Sequence, residues 1–229
     1  MSRVESALPN YGIDADQVLG KESIFTAVRR RFDGRYAVDE FGGDPSIMDA
    51  LAPIPSALIR IDVEHAEHLP RRGPALLVAN RGFGLFEPFV LGLAVRRALG
   101  RWLRIVGAPN LPVLGPAASK IGAIGNRPAD VAALLRAGHL AGAPLGMTWM
   151  RAGAGHPPRA LVAATLGYPV IPVAIRPGGP WNLQLRPWKV LVGEAMLPPV
   201  GTETHDQLAA AELSEQVRAA VQRLLEEQR

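Results

Sequence analysis

The sequence predicts an α/β fold: a single domain with a mixed, largely parallel sheet flanked by helices. Short apolar runs of strand length alternate with helix-period segments over most of the chain. Two of those runs, PALLVAN and YPVIPVAI, are continuously apolar, as strands buried on both faces require. The length of 229 residues suits one such domain with a substantial core.

Taken in order, residues 1–20 carry no strong pattern, and a short helix is expected at 22–32, where Ile24, Phe25, Val28 and Phe32 share a face. Asp33-Gly34 ends it, and a second helix is expected over 46–57. These define a leader over 1–40 and a main domain over 41–229. ALIRIDVE reads as a strand because Leu58, Ile59, Ile61 and Val63 partly alternate with polar residues. LPRRGP turns the chain into PALLVAN. The next helix starts near Pro88, where a missing N–H costs nothing. RWLRIVGA, PLGMTWM, YPVIPVAI and 187–193 read as further strands, with helices at 128–138 and 158–166. A final helix over 204–228 has Thr204 and Gln207 at capping-box spacing and Leu213, Val217, Val221 and Leu224 along one side.

Composition narrows the chemistry. The absence of cysteine excludes thiol nucleophiles, disulfides and thiolate metal sites. Five histidines remain, and only His65 and His68 stand at i, i+3, so no metal centre is expected. Net charge is +4, and 22 of the 25 basic residues are arginine, which suits bidentate contacts with phosphate or carboxylate. The N-terminus lacks an apolar signal core, and the uncharged run from Ala160 to Ile175 is broken by Gly167 and Pro169, so neither secretion nor a bilayer span is expected. GFG at 82–84 is no dinucleotide loop, because Glu87 stands where a third glycine would be required. The basic run VRRRF has no interleaved aromatic platform, which argues against nucleic acid. Its neighbouring apolar face fits a membrane surface or, more simply, packing on the domain.

Several motifs in fixed order carry a resemblance. DEFGGDP precedes the strand and turn IDVEHAEHLPRRG; LLVAN follows; LPVLGPAASKIGAIGNR ends in Arg127; and LVAATLGYPVIPVAI closes the series. The block from 40 to 200 resembles the PlsC-type glycerolipid acyltransferases, also called the lysophospholipid acyltransferase superfamily. That resemblance implies a PlsC-like fold, glycerolipid or acyl-thioester ligands, no cofactor, and acyl-CoA or acyl-carrier protein as co-substrate where transfer occurs. It also implies a cytoplasmic protein, peripheral at the inner face of the membrane, and a phosphate-binding role for Arg127.

The catalytic motif departs from the family pattern. Members carry His-x-x-x-x-Asp after the asparagine of LLVAN; here those positions are Arg81 and Phe86, with Glu87 and Pro88 one place late. The Phe-Pro-Glu-Gly site is Thr148-Trp149-Met150-Arg151. In the family the histidine takes the proton of a hydroxyl attacking a thioester, a role worth about 10²- to 10⁴-fold. Arginine keeps its proton, so Arg81 is no general base. The resulting expectation is a non-catalytic lipid- or acyl-carrier-binding homologue with Arg127, Arg81 and Arg151 as anion contacts. One alternative is an acyltransferase using Glu87 or His156 as base with an unusual acceptor. Another is a protein-interaction subunit whose cleft is filled by Phe83, Phe86 and Trp149. His139, after Gly138, is expected to complement the end of a helix.

Overall fold

A computed structural model describes residues 41, 43, 59–80, 87–107, 122–125, 127–145, 159–177, 187–198 and 207–227. The expected helices at 22–32 and 46–57 lie outside them. Strand β1 (Ile61–Glu64) leads through a 3-10 turn (Ala66–His68) to β2 (Ala75–Ala79), helix α1 (Glu87–Leu99), β3 (Leu103–Val106) and β4 (Ala123–Ile124). Helix α2 (Pro128–Arg136), β5 (Leu140–Pro144), α3 (Arg159–Ala164), β6 (Val170–Arg176), β7 (Trp188–Val192) and α4 (Gln207–Glu226) follow. The seven strands form one sheet in the order β1-β7-β6-β2-β5-β3-β4. All neighbours pair parallel except β6 and β7. The expected fold class is therefore observed.

All five residues of β2 are buried. Their side chains alternate between two cores: Leu77 packs with Val90, Leu91 and Ala94 of α1, while Leu76 and Val78 pack with Leu134, Leu161, Leu213 and Val217 from α2, α3 and α4. A strand covered on both faces must be apolar throughout, which explains the unbroken run. From β2 the chain passes over β5 to β3 through α1; from β4 to β5 and from β5 to β6 it moves the other way through α2 and α3. A constant crossover hand then places α1 on one face and the later helices on the other.

One strand differs from expectation. PLGMTWM was expected to form it, but the strand is Leu140–Pro144 and shares only Pro144 with that segment. LAGAP lacks the β-branched residues that mark a strand, because its neighbours demand small side chains: a Cβ on Gly142 would lie 2.8 Å from Leu103 Cδ2. Proline inside the central strand β6 is also unusual. Val173 pairs with Val192 but Val170 with Met196, so three residues of one strand oppose Ile171 and Pro172. This bulge relieves the ladder where Pro172 has no N–H to offer, and Gly193 donates instead to the Pro172 carbonyl at 2.8 Å.

Helix α2 ends in a Schellman arrangement, with His139 N–H donating to Leu134 O at 3.2 Å, Gly138 N–H to Leu135 O at 3.0 Å, and Gly138 at φ +85°. Gly92, in the middle of α1, has no heavy atom within 4 Å of an added Cβ. Alanine at the two sites should act with opposite sign. Gly138→Ala should destabilise by about 1 kcal/mol and Gly92→Ala should stabilise by about 0.5–1 kcal/mol, both read from urea midpoints.

Candidate functional site

Strands β2 and β5 are adjacent, but the chain leaves β2 toward α1 on one face and leaves β5 toward α3 on the other. In open α/β sheets such a divergence marks the usual ligand position, a crevice outside the carboxyl ends of the two strands. In sequence, residues 81–86 follow β2 and residues 146–158 follow β5; both segments lie outside the described residues. Leu145 N–H donates to Ala79 O at 2.9 Å and holds the two strand ends together.

Asn80 is the pivot of the β2 end. Its Nδ2 donates to Ile175 O at 2.9 Å, and its Oδ1 accepts from Ile175 N–H at 2.6 Å. The side-chain amide behaves as one more peptide in the ladder with β6. With the Asn80 N–H also donating to Val173 O, the asparagine ties the end of β2 to β6 through both its backbone and its side chain. Ile175 offers one donor and one acceptor, which sets the amide orientation.

Glu87 is the first residue of α1 and only 5% exposed, so a carboxylate occupies the positive end of that helix. It lies seven residues after Asn80, at the helix end that β2 feeds. Arg127 is the N-cap of α2, just beyond β4. Its side chain is 83% exposed, with Nε 3.8 Å from Asp130 Oδ2, a contact of little energetic weight. Arg127 shares the carboxyl edge of the sheet with Asn80, but β4 lies three strand spacings from β2, about 14 Å. It stands at the flank of the crevice rather than in its centre. Arg81, Phe86, Arg151 and His156, and the aromatic residues Phe83 and Trp149, lie outside the described residues.

Three histidines, His65, His68 and His139, lie among the described residues. His65 and His68 stack at 5.5 Å, and His68 Nδ1 donates to Val192 O at 2.9 Å. Among the described residues no group of three or more His, Cys, Asp or Glu side chains could hold a metal ion. His139 meets the edge of Phe41 at 5.7 Å, in addition to closing α2 through its backbone. No described helix is long and apolar enough to cross a membrane.

This arrangement of sheet and helices is shared with a solved protein, the 1-acyl-sn-glycerophosphate acyltransferase PlsC of Thermotoga maritima. The match has a TM-score of 0.60 at 18% sequence identity and covers 89% of both chains. The chain has the PlsC acyltransferase fold. No family model matches it. Uncharacterised proteins of Mycobacterium bovis and Mycobacterium tuberculosis are 37% identical over 124 residues, 49% of this chain and 35% of theirs. One from Mycobacterium leprae matches at the same identity over 34% of its length. The chain thus spans about a third of the relatives it matches in sequence.

Two structural features escaped the reading of motifs, Asn80 at the site and Arg104 away from it. Asn80 was legible only as the last residue of an apolar run, although a side-chain amide ending a buried strand is the signal. Arg104 stands between Leu103 and Ile105 in β3 and is 4% exposed; the sign was a lone charge within an apolar strand. Burial pushes its guanidinium pKa below the ordinary value. Asn80→Ala would leave the Ile175 amide and carbonyl without these partners. It should cost about 1–3 kcal/mol and speed hydrogen exchange at Ile175, while amides within α4 exchange as before apart from that global loss.

Proposed function

We propose that this protein binds a glycerolipid phosphate or an acyl-carrier thioester in the crevice beyond β2 and β5 without transferring the acyl group. The supporting observation is the Asn80 clamp. The clamp fixes the end of β2, and the residue that follows is Arg81, where the resembled family has its histidine base. A guanidinium stays protonated throughout the physiological range, so it suits an anion and fails as a proton acceptor. Arg127 at the flank, with Arg81 and Arg151, supplies the proposed anion contacts. The Thermotoga protein's name gives the ligand class, a lysophosphatidate and an acyl group. In this reading the protein works at the inner face of the membrane as a peripheral regulatory homologue, with residues 1–40 as a leader to the domain.

Glu87 supports a second reading. A carboxylate 5% exposed at the helix end facing β2 is the one described titratable group near the crevice with a chemistry able to accept a proton. In that reading the protein remains an acyltransferase with an atypical base, Glu87 or, from the loop after β5, His156. The two readings separate cleanly on Glu87→Gln and His156→Ala. Loss of turnover in either variant would support an active enzyme.

The deciding experiment offers acyl-CoA and acyl-carrier-protein donors with lysophosphatidate and alcohol acceptors to the purified protein, beside the Arg81→His/Phe86→Asp variant. The natural protein should show no turnover above buffer. It should still bind lysophosphatidate by calorimetry, with about fivefold weaker binding in Arg127→Ala, in keeping with an exposed charge. Turnover by the natural protein would overturn the non-catalytic reading, and absence of any lipid binding would overturn the ligand class.

A further inference from the structure

Charge is spread unevenly along the chain. Between Glu67 and Asp130 the sequence has one acidic residue, Glu87, against eight arginines and Lys120. That stretch carries a formal +8, twice the net charge of the whole chain, so the rest is net acidic. The fold gathers part of this charge at the amino-terminal end of the sheet. Arg71 and Arg72 lie in the turn before β2, Arg101 precedes β3, and Arg136 closes α2 ahead of β5. Because β2, β5 and β3 are parallel neighbours, these three approaches lie side by side. Arg101 pins them together, with Nη1 donating to Pro70 O and Nη2 to Gly138 O, each at 2.9 Å. Neutral carbonyls leave its guanidinium cationic. In the last turn of α1, Arg96 sets its Cζ 4.6 Å from the ring centre of the partly exposed Trp102. Arg71, Arg72 and Arg136 are exposed. Cations in a last helical turn complement the helix dipole, which by itself accounts for Arg96 and Arg136. That account does not reach Arg71 and Arg72, which belong to no helix and lead into a strand.

We propose that this arginine-rich end of the sheet is the surface by which the protein docks on an anionic phospholipid bilayer. The arginines come from separate turns and helix ends, and such a spread of cations suits many mobile phosphates better than one small anion. Each guanidinium fork can take two phosphate oxygens. Trp102 adds an amphipathic ring of the kind that settles at the level of lipid headgroups. With Arg96 on one face and partial burial besides, the same ring is a poor platform for stacked bases, which argues against single-stranded nucleic acid. The docking surface rests on the function proposed above only for the peripheral location; it requires neither lipid binding nor acyl transfer in the crevice. Helix α1 runs 13 residues, about 20 Å, from Glu87 at the crevice end to this patch. A chain docked here turns the carboxyl ends of its parallel strands toward solution. The crevice ligand then arrives from the aqueous side, as an acyl group on a soluble carrier does.

Sedimentation of the intact chain with vesicles tests it. The natural protein should bind vesicles of phosphatidylcholine with about one third phosphatidylglycerol, ignore vesicles of phosphatidylcholine alone, and come off as ionic strength rises. Each arginine near such a surface is worth about fivefold in partitioning, so Arg71→Glu/Arg72→Glu should bind at least about twentyfold more weakly. The same charge change on the exposed face of α4, Arg218→Glu/Arg223→Glu, should leave vesicle binding nearly unchanged. Slow amide exchange in β2 and β5 reports that each variant is folded. Should Arg71→Glu/Arg72→Glu fail to fold, Arg136→Glu carries the test with a loss of about fivefold. Absence of binding to the anionic vesicles, binding that survives the patch variants, or an equal loss in the α4 variant would overturn the proposal. Retention on a DNA duplex without retention on vesicles would overturn it as well. Lysophosphatidate titrated below its micelle concentration should bind the natural chain and Arg71→Glu/Arg72→Glu alike, so the crevice reading and the docking surface fail separately.

Discussion

The structure depends on the burial of β2 between β5 and β6. Its five residues touch both cores, and every crossover connection is placed relative to it. With Leu76, Leu77 and Val78 fully buried, truncating any one of them would remove packing worth about 2–5 kcal/mol, a large part of the margin by which a domain is stable. Because the strand is central, its carboxyl end is also the most constrained place from which a loop can leave. The core and the candidate site are joined by that single strand end.

Asn80 converts this constraint into a directed exit. A chain leaving a buried parallel strand abandons donors and acceptors on its neighbour, and each one left unmatched costs about 1–3 kcal/mol. The asparagine amide satisfies both at Ile175, so the ladder with β6 ends there without that cost.

Much of the architecture was legible because buried parallel strands have an unmistakable composition. PALLVAN, RWLRIV and VIPVAI all mark strands, and the pattern of α4 follows its buried face at Leu213, Val217, Val221 and Leu224. The strand Leu140–Pro144 was missed for a reason internal to packing. Gly142 is small because Leu103 and Ile105 of the neighbouring strand fill the space above it, and no single-strand pattern records a neighbour's volume. Pro172 would normally argue against a central strand, yet a bulge opposite it, between Val192 and Met196, makes the position tolerable. Arg127 caps α2 just beyond β4, and its distance from β2 follows from the strand order, which sequence periodicity does not contain.

Two arginines illustrate how the same residue type divides between surface and interior. Arg127 is exposed beside Asp130, where solvent screens the pair and leaves the guanidinium available to an anion. Arg104 is enclosed, and there the penalty of burial must be met by what the chain brings to it. Arg101 stands between these extremes: half-buried, it donates to Pro70 O and Gly138 O at 2.9 Å each and ties the turns before β2 and β5 together. An arginine-rich composition is therefore no measure of anion binding by itself. Among the described residues, Arg101 at the amino-terminal end of the sheet holds two turns together, whereas Arg127 at the carboxyl-terminal end is exposed with only a weak contact to Asp130.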